Sequence, residues 1–554
     1  MSEKKIIDLL KNKKFIEAKI LISKLLKDQK HILKNNFYYG IILAQEKKFE
    51  KAITYFNIFL NSNQKDYDVN FNIAGCYLGL LNFKEAIKFY NNCANLDFNR
   101  HEPFHQIGVC YRLIREYEKS EISLNKALAI KENPNSYYVL GKVLRENGQF
   151  EKSRISFEKS ISLDDKFIES KLSLANLEND YGNYEKAIEI IDDINASSGS
   201  NDQVFTKSKV ILGNILKSQG DYQGAIDVNI EILKKDPKNV DALYNLSLCY
   251  LFTKNYEKGW GFHEYRYNLQ SFVLLKKMQN NFQKPRWDQN KQEKSILIYG
   301  EQGIGEQILY SQFVKIIRDK FDNITIAVNK KLIPFFEKIF VKEKIIDYRA
   351  ISDYENYDCH LPMGSLGLFF QKFINHNSFK EKINYSSEFK KIPKKNKKFR
   401  CGISWRSTNK IFGNKKSIEL EELKELFLSN NIEFINLQYT DEEFKIKNLE
   451  RKMNKNIFLE HDVDCFDDID GVAGLIKSCD IVITVSNSNA HISGKLGVKT
   501  FLLLPFNDGK LWYWGMNTDT EIIWYPSIEP IRMNKENDWS SCISKLNEKL
   551  ENFL

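Results

Sequence analysis

The stretch Phe83-Lys84-Glu85-Ala86 sets the pattern of the first half of the chain: an aromatic residue, two residues, then a small one. The same element recurs as Phe15…Ala18, Phe49…Ala52, Tyr117…Ser120, Phe150…Ser153, Tyr184…Ala187, Tyr222…Ala225 and Tyr256…Gly259. Successive small residues lie 34, 34, 34, 33, 34, 38 and 34 positions apart, by subtraction of those numbers. Twelve residues before the small one a second small residue recurs, as Gly40, Ala74, Gly108, Gly141, Ala175 and Gly213. Two small residues at fixed offsets mark where paired helices approach too closely for a large side chain. A fixed period of 20–50 residues is the signature of a solenoid.

A period of 34 is that of the tetratricopeptide (TPR) helix pair. Tyr77, Tyr111 and Tyr250 occupy the repeat's aromatic position, and Pro237 follows a second helix as a stop. The spacing of 38 falls where Asn195-Ala196-Ser197-Ser198-Gly199-Ser200 lengthens a loop. Such an array offers a groove for a protein partner and carries no chemistry of its own. His101 and His105 share a helix face at metal-ligand spacing, but no acidic third ligand accompanies them. Trp260 and Tyr265 read as apolar capping of the solenoid end, and Lys284-Pro285-Arg286-Trp287-Asp288 as a turn-rich junction. The expected domains are a TPR solenoid over 1–280, a first lobe over 290–395 and a second lobe over 398–554.

The second half alternates strand and helix. Strands are expected at 295–299, 324–328, 401–405, 433–437, 481–485 and 500–504, with helices at 306–319, 332–340, 419–429, 469–477 and from Ala490. This βα alternation implies parallel sheets with helices on both faces, hence two Rossmann-like lobes with a site at the carboxyl ends of the strands. The block Lys390-Lys391-Ile392-Pro393-Lys394-Lys395-Asn396-Lys397-Lys398 reads as a solvated linker between them.

Composition narrows the function classes. The 554 residues carry 82 basic and 73 acidic side chains, interspersed, so the net charge of +9 does not demand nucleic acid. None of the nine cysteines forms a CxxC pair, which argues against a zinc site or a disulfide framework. Met1-Ser2-Glu3-Lys4-Lys5 leads into an amphipathic stretch rather than a signal-peptide core, and apolar runs such as Thr500–Pro505 are too short to span a bilayer. A cytoplasmic protein is expected.

Two loops could carry chemistry. Gly300-Glu301-Gln302-Gly303-Ile304-Gly305-Glu306-Gln307 joins a strand to a helix; Gly303 and Gly305 let a ligand approach the backbone, and Glu306 sits at the helix start. It lacks the Lys-Ser/Thr of a P-loop. Ser486-Asn487-Ser488-Asn489-Ala490-His491 opens another helix; four consecutive Ser/Asn residues exceed what one N-cap requires, and the combination suits a diphosphate without a metal. Asp462-Val463-Asp464 reads as a solvated turn, and Asp467-Asp468-Ile469-Asp470 as a charge cluster at a helix start.

Several segments, in order, resemble bacterial TPR proteins that end in a heptosyltransferase-like domain. Tyr256–Arg266 resembles their last repeat, Pro285–Asp288 their junction, and Gly300–Gln307 their glycine loop. Asp358–Leu366, Gly402–Trp405, Lys416–Ile418, Leu437-Gln438, Ala490–Gly494 and Trp524-Tyr525-Pro526-Ser527 follow. The resemblance covers nearly all of residues 256–530. It implies a GT-B fold and an inverting, metal-independent glycosyltransferase of the hexosyl or heptosyl class, using a nucleotide-diphosphate sugar and no cofactor. It places the base at Glu306, where the family usually has Asp, and the donor near Trp405, Lys416, Gln438 and the 486–491 loop. The family's Asp-Thr is Ser486-Asn487 here. A similar arrangement in O-GlcNAc transferases implies a protein or glycan acceptor. The alternative is a non-catalytic TPR scaffold whose degenerate transferase domain binds nucleotide or glycan.

Overall fold

The computed structural model describes every residue except 1, 13, 26–31, 63–64, 198–201, 270–271, 273–281, 290–292, 354–355, 375–378, 380–387, 395–396, 410–411, 508 and 552–554. Ser198–Ser200 of the lengthened loop and Lys395-Asn396 of the basic block therefore lie outside the described residues. The chain forms two compact units, Met1–Gly199 and Ser200–Leu554.

The first unit is helical throughout, from Ser2–Lys11 to Tyr184–Ser197. Its helices form antiparallel pairs such as Glu102–Leu113 with Tyr117–Ile130, and Pro134–Glu146 with Phe150–Leu163. The recurring small residues sit where the pairs touch. A Cβ on Gly141 would lie 2.6 Å from the Phe157 ring, and one on Gly108 the same distance from Leu124. Where serine replaces alanine at the partner position, its hydroxyl finds an acceptor: Ser120 donates to Gly108 O and Ser153 to Gly141 O, both at 2.7 Å. Between the helices of the five pairs from Ile32 to Ser197 one residue turns left-handed, at Lys47, Leu81, Arg115, Gly148 and Gly182. Ion pairs join successive first helices, Arg112 to Glu146 at 2.6 Å and Arg145 to Asp180 at 2.5 Å. His101 lies beside Glu102 and His105 bonds Ser136, and no group of metal-ligating side chains occurs among the described residues.

The second unit starts with four helices, Asp202–Gln219, Tyr222–Lys235, Val240–Phe252 and Tyr256–His263. These continue the helical pattern, yet the chain's compact division precedes them, because their apolar side chains belong to the core of the sheets. Tyr222 stacks on Phe252 with centroids 4.5 Å apart, and Trp260 packs edge-on against Tyr310, Phe313 and Trp512. Asn507 donates to Gln219 O at 2.8 Å, and Lys254 pairs with Asp519 at 2.7 Å. Trp260 thus caps the last helix as the sequence suggests, whereas Tyr265 stays substantially exposed.

Two parallel sheets follow. The first contains β1 (Ser295–Tyr299), β2 (Asn323–Val328), β3 (Lys344–Asp347) and β4 (Cys359–Pro362) in the order β3-β2-β1-β4. The second contains β5 (Phe399–Ser404), β6 (Ile432–Asn436), β7 (Phe458–Leu459), β8 (Ile481–Val485), β9 (Thr500–Leu504) and β10 (Ile528–Arg532) in the order β10-β9-β8-β5-β6-β7. The apolar runs of the central strands β1, β2, β5, β8 and β9 are buried on both faces, as a helix-covered parallel sheet requires, while the edge strands β3 and β7 are only half-buried. The strand order reverses between β1 and β4 and between β8 and β5. Ligands of open parallel sheets bind outside the carboxyl ends at such points.

Two expected helices differ. Residues 306–319 break into Ile304–Tyr310, Val314–Ile317 and short 3-10 turns. Ser311 causes the break: its hydroxyl bonds back to Ile308 O at 2.7 Å and accepts from the Lys495 amine at 3.2 Å. Residues 419–429 form only 3-10 turns, opened by a capping box between Glu419 and Glu422. The basic block is only partly solvated. The carbonyls of Ile392 and Pro393 accept from the buried Arg400 guanidinium at 2.7 and 2.9 Å.

The sheets are pinned together by polar contacts near their helices. Lys331 pairs with Asp467 at 2.6 Å, Lys338 with Asp470 at 2.7 Å, and Gln312 donates to Trp524 O at 2.5 Å. Asp468 caps the helix Ile469–Lys477 through Gly471 N, and Asp464 accepts from Phe466 and Asp467 N–H. The acidic run is therefore a helix cap and a set of cross-links, not a metal cluster.

Candidate functional site

The loop after β1 turns through Gly300 into the helix Ile304–Tyr310. Gln307 braces it: the amide donates to Gln302 O at 2.8 Å and accepts from Asn329 N at 3.0 Å. Both inner glycines are close-approach positions. A Cβ on Gly303 would lie 2.7 Å from the Glu306 carboxylate, and one on Gly305 would lie 2.6 Å from the His491 ring. The helix carrying Glu306 packs directly on the helix Ser488–Lys495 of the other sheet. The loops singled out in the sequence are thus brought together.

Glu306 is held from across this junction. The Tyr513 hydroxyl, from the segment after β9, donates to Glu306 Oε1 at 3.2 Å. Burial, then the adjacent Glu306 charge, pushes the Tyr513 phenol well above its ordinary range, so it keeps its proton.

The Ser486–His491 loop is mostly occupied with itself. The Trp514 indole N–H donates to Ser486 Oγ at 2.9 Å. Asn487 caps the helix, its Oδ1 accepting from Asn489 N and Thr484 Oγ1, while its amide donates to Ser404 Oγ and Arg406 O. Asn487 therefore stitches the loop after β8 to the loop after β5, at the topological reversal. Asn489 donates to Leu437 O at 2.7 Å. Ser488, half-buried at the first turn, presents a hydroxyl with no side-chain hydrogen bond among the described residues.

His491 is wholly enclosed. Its Nδ1 meets the Tyr525 hydroxyl at 3.0 Å, and the rings of Tyr513, Trp514 and Tyr525 surround it with centroids 4.7–5.7 Å away. Burial, with the Lys416 charge second, lowers its pKa to about 3, so the imidazole is neutral.

Lys416, from a 3-10 turn after β5, is only 6% exposed. Its ammonium has no hydrogen-bond or ion-pair partner among the described residues, although it feels the Glu306 carboxylate. Burial lowers its pKa and Glu306 raises it, burial being the larger effect. A buried cation without a partner is costly unless an anion joins it.

Two other expected residues sit elsewhere. Trp405 is a core residue, stacked on Phe458 at 6.0 Å and 12°, so its indole faces the interior of the second sheet. Gln438 accepts from Trp405 N and Arg406 N at 2.9 Å and donates to Thr440 Oγ1 at 2.8 Å, so its amide is spent on shaping the β5 loop.

The sequence reading missed a buried ionic cluster behind the glycine loop. Arg266, fully buried, donates to His263 O at 2.9 Å, Glu264 at 3.0 Å, Glu301 at 2.6 Å and Ser365 Oγ at 2.9 Å. Tyr267 donates to Glu301, whose Oε1 also accepts from Gly364 N at 3.0 Å. Ser365 donates to Glu264 at 2.7 Å, and Arg286 reaches both Glu264 and Ser365. Four segments quoted above as separate motifs converge here. Their polar residues were the available signal, but no single motif reveals a pairing between positions 266, 301 and 365.

Comparison with known proteins supports the reading of the first half. Residues 67–100, 101–134 and 134–167, and then 212–259, match the tetratricopeptide repeat family. The N-terminal helices are tetratricopeptide repeats. Among curated proteins the chain is 23% identical to FlbA of Caulobacter vibrioides over 295 residues, which is 48% of each protein. It is 30% identical to the BBSome complex member BBS4 of Bos taurus over 106 residues, 19% of this chain and 20% of BBS4. The chain thus spans about half the length of FlbA and a fifth of BBS4. Among solved structures, a tetratricopeptide repeat protein from Parabacteroides merdae aligns with TM-score 0.39 and 16% identity, covering 45% of this chain and 97% of that one. MamA aligns with TM-score 0.26 and 22% identity, covering 27% and 89%. The repeats account for the helices; no helix among the described residues is long and apolar enough to cross a membrane.

Proposed function

We propose that residues 290–554 form a GT-B glycosyltransferase, made of two Rossmann-like lobes, that moves a sugar from a nucleotide-diphosphate donor to a protein or glycan acceptor presented by the repeats. One observation carries the reading: a carboxylate on the first sheet's carboxyl edge, Glu306, and a lysine on the second's, Lys416, only 6% exposed and with no hydrogen-bond or ion-pair partner among the described residues, share one junction. The facing loops supply the two charges that the transfer needs.

In this reaction Glu306 takes the proton of the acceptor hydroxyl as its oxygen attacks the anomeric carbon. The bond from that carbon to the diphosphate breaks, and the nucleoside diphosphate leaves with the electron pair. A single displacement inverts the anomeric centre. Lys416, the Ser488 hydroxyl and the amides opening the helix Ser488–Lys495 neutralise the departing charge. In this reading they do so without a metal. Neutral His491 cannot repel an incoming Lys416-bound anion or donate a second charge; it packs beneath the helix start.

The second reading, a scaffold that binds nucleotide or glycan without turnover, draws on the same loop. Ser486, Asn487 and Asn489 spend their side chains on internal bonds, leaving Ser488 as the loop's free hydroxyl. Repeats matching part of a complex member such as BBS4 also favour a role in holding a protein partner.

The test is transfer or hydrolysis from a panel of nucleotide sugars by the full chain, with Glu306→Gln beside it. Turnover that falls by about 10²–10⁴ in Glu306→Gln with donor affinity retained supports the enzyme. Donor binding without turnover by either protein supports the scaffold. No binding of any nucleotide, nucleotide sugar or glycan overturns both.

A further inference from the structure

We infer that Arg266 and Glu301 are positioning residues that make the last helical repeat a working part of the ligand site; the inference rests on the proposal that the Gly300–Glu306 loop approaches a nucleotide donor. The loop has an acidic residue near each end, and each is anchored differently. Glu306 is held by Tyr513 from the second sheet. Glu301 is held by Arg266, which belongs to the turn that follows the last repeat helix, Tyr256–His263.

The anchoring is specific in three respects. Arg266 is completely buried, and its donors are spread over three segments: its own turn, the β1 loop and the β4 loop. Glu301 is also almost fully buried, and its Oε1 accepts from both Arg266 and Gly364 N. A Cβ at 364 would run into the Glu301 carboxylate, so any larger residue there would have to displace it. The carboxylate therefore bridges the loops after β1 and β4, the two loops at the first sheet's topological reversal. Between Glu301 and Glu306 lie two close-approach glycines, Gly303 against the Glu306 carboxylate and Gly305 directly under His491 of the other sheet.

The buried Arg266 guanidinium reaches Glu264 through one terminal nitrogen and Glu301 through the other, so it gives orientation as well as charge. Lysine keeps the charge but not the fork. The geometry therefore predicts that loop order depends on arginine specifically, and that a partner bound to the helices Val240–Phe252 and Tyr256–His263 is felt at the site through this cluster.

The experiment uses the full chain, Arg266→Lys, and UDP and GDP as probes. Hydrogen exchange in the peptide covering 300–306 is followed together with diphosphate affinity by calorimetry. Expected in Arg266→Lys are exchange at least tenfold faster in that peptide, affinity weaker by roughly tenfold, and unchanged exchange in β5–β10. Unchanged exchange in 300–306 overturns the inference. If the parent binds neither diphosphate, the function proposed above loses its support while the exchange comparison still decides this one. Where Arg266→Lys does not fold, Ser365→Ala removes one of the cluster's hydroxyls without stranding a charge. It is expected to loosen the same peptide, and an unaltered peptide there counts against the inference equally.

Discussion

The Tyr513 hydroxyl bonds the Glu306 carboxylate at 3.2 Å, and so the segment after β9 fixes an acidic side chain that the first sheet offers to the junction. A hydrogen bond to a charged group is worth about 1.5–3 kcal/mol. Tyr513→Phe is therefore expected to lower turnover by roughly 10- to 100-fold, with the Michaelis constant for the donor little changed. Steady-state kinetics on the two proteins decides this; a change confined to the Michaelis constant refutes the positioning role.

Lys416→Met separates a ligand-binding cation from a structural one. Removing an unpartnered buried charge should leave the unliganded protein at least as stable as the parent. Nucleoside diphosphate affinity should fall by roughly 10- to 100-fold, the loss of one charge-assisted hydrogen bond. Thermal melts with and without UDP measure both. A destabilised apo protein with unaltered affinity sinks the assignment.

Acid should weaken the second unit through His491. Its pKa is lowered to about 3 when folded, against about 6.5 when unfolded. The unfolded chain thus binds the extra proton first. The stability contributed by the neutral ring is complete above pH 6.5 and declines as pH falls toward 3, by up to about 1.4 kcal/mol per pH unit. His360, lowered to about 4 by burial and by Arg286, adds to the same slope. Urea melts at pH 7 and pH 5 should give a smaller difference for His491→Phe than for the parent, and equal differences would count against the burial argument.

The fragment 1–199 should melt cooperatively by itself, since solenoid repeats need only their neighbours. Gly141→Ala in that fragment should cost about 1–3 kcal/mol, because the new Cβ meets Phe157 at 2.6 Å. A longer fragment ending at residue 263 should aggregate, because it strips Tyr222, Phe252 and Trp260 of the rings they pack against. Circular dichroism and light scattering on the two fragments provide the check.

Much of this was legible in the sequence because it rests on local rules. The 34-residue spacing located the touching positions of the helix pairs, since a missing side chain at Gly108 or Gly141 is written in the residue itself. The βα alternation located strands, and the loops around Glu306 and Ser488 followed from where strands end. What the sequence hid depends on distance. Trp405 reads as the end of a strand and, by resemblance, as a neighbour of the donor, yet its indole packs inside the second sheet because β5 is central and its neighbours β6 and β8 bury that face. Gln438 reads as a ligand amide but is consumed by two backbone N–H groups 32 and 33 residues earlier. The partnership of Arg266 with Glu301 needs two segments 35 residues apart to fold against a third, which no local pattern records. The helices after residue 200 look like any other repeat, and only their contacts assign them to the sheets.

The division at Gly199 has a consequence for how such a chain can change. Repeats added or lost before that point would lengthen or shorten the solenoid while leaving the core of the second unit untouched. The two pairs after it, bound through Asn507 and Asp519, behave as inherited foundations. A graft that supplies a new set of repeats should be joined at 199/200, because a seam at the start of β1 would discard helices whose side chains belong to the core of the sheets.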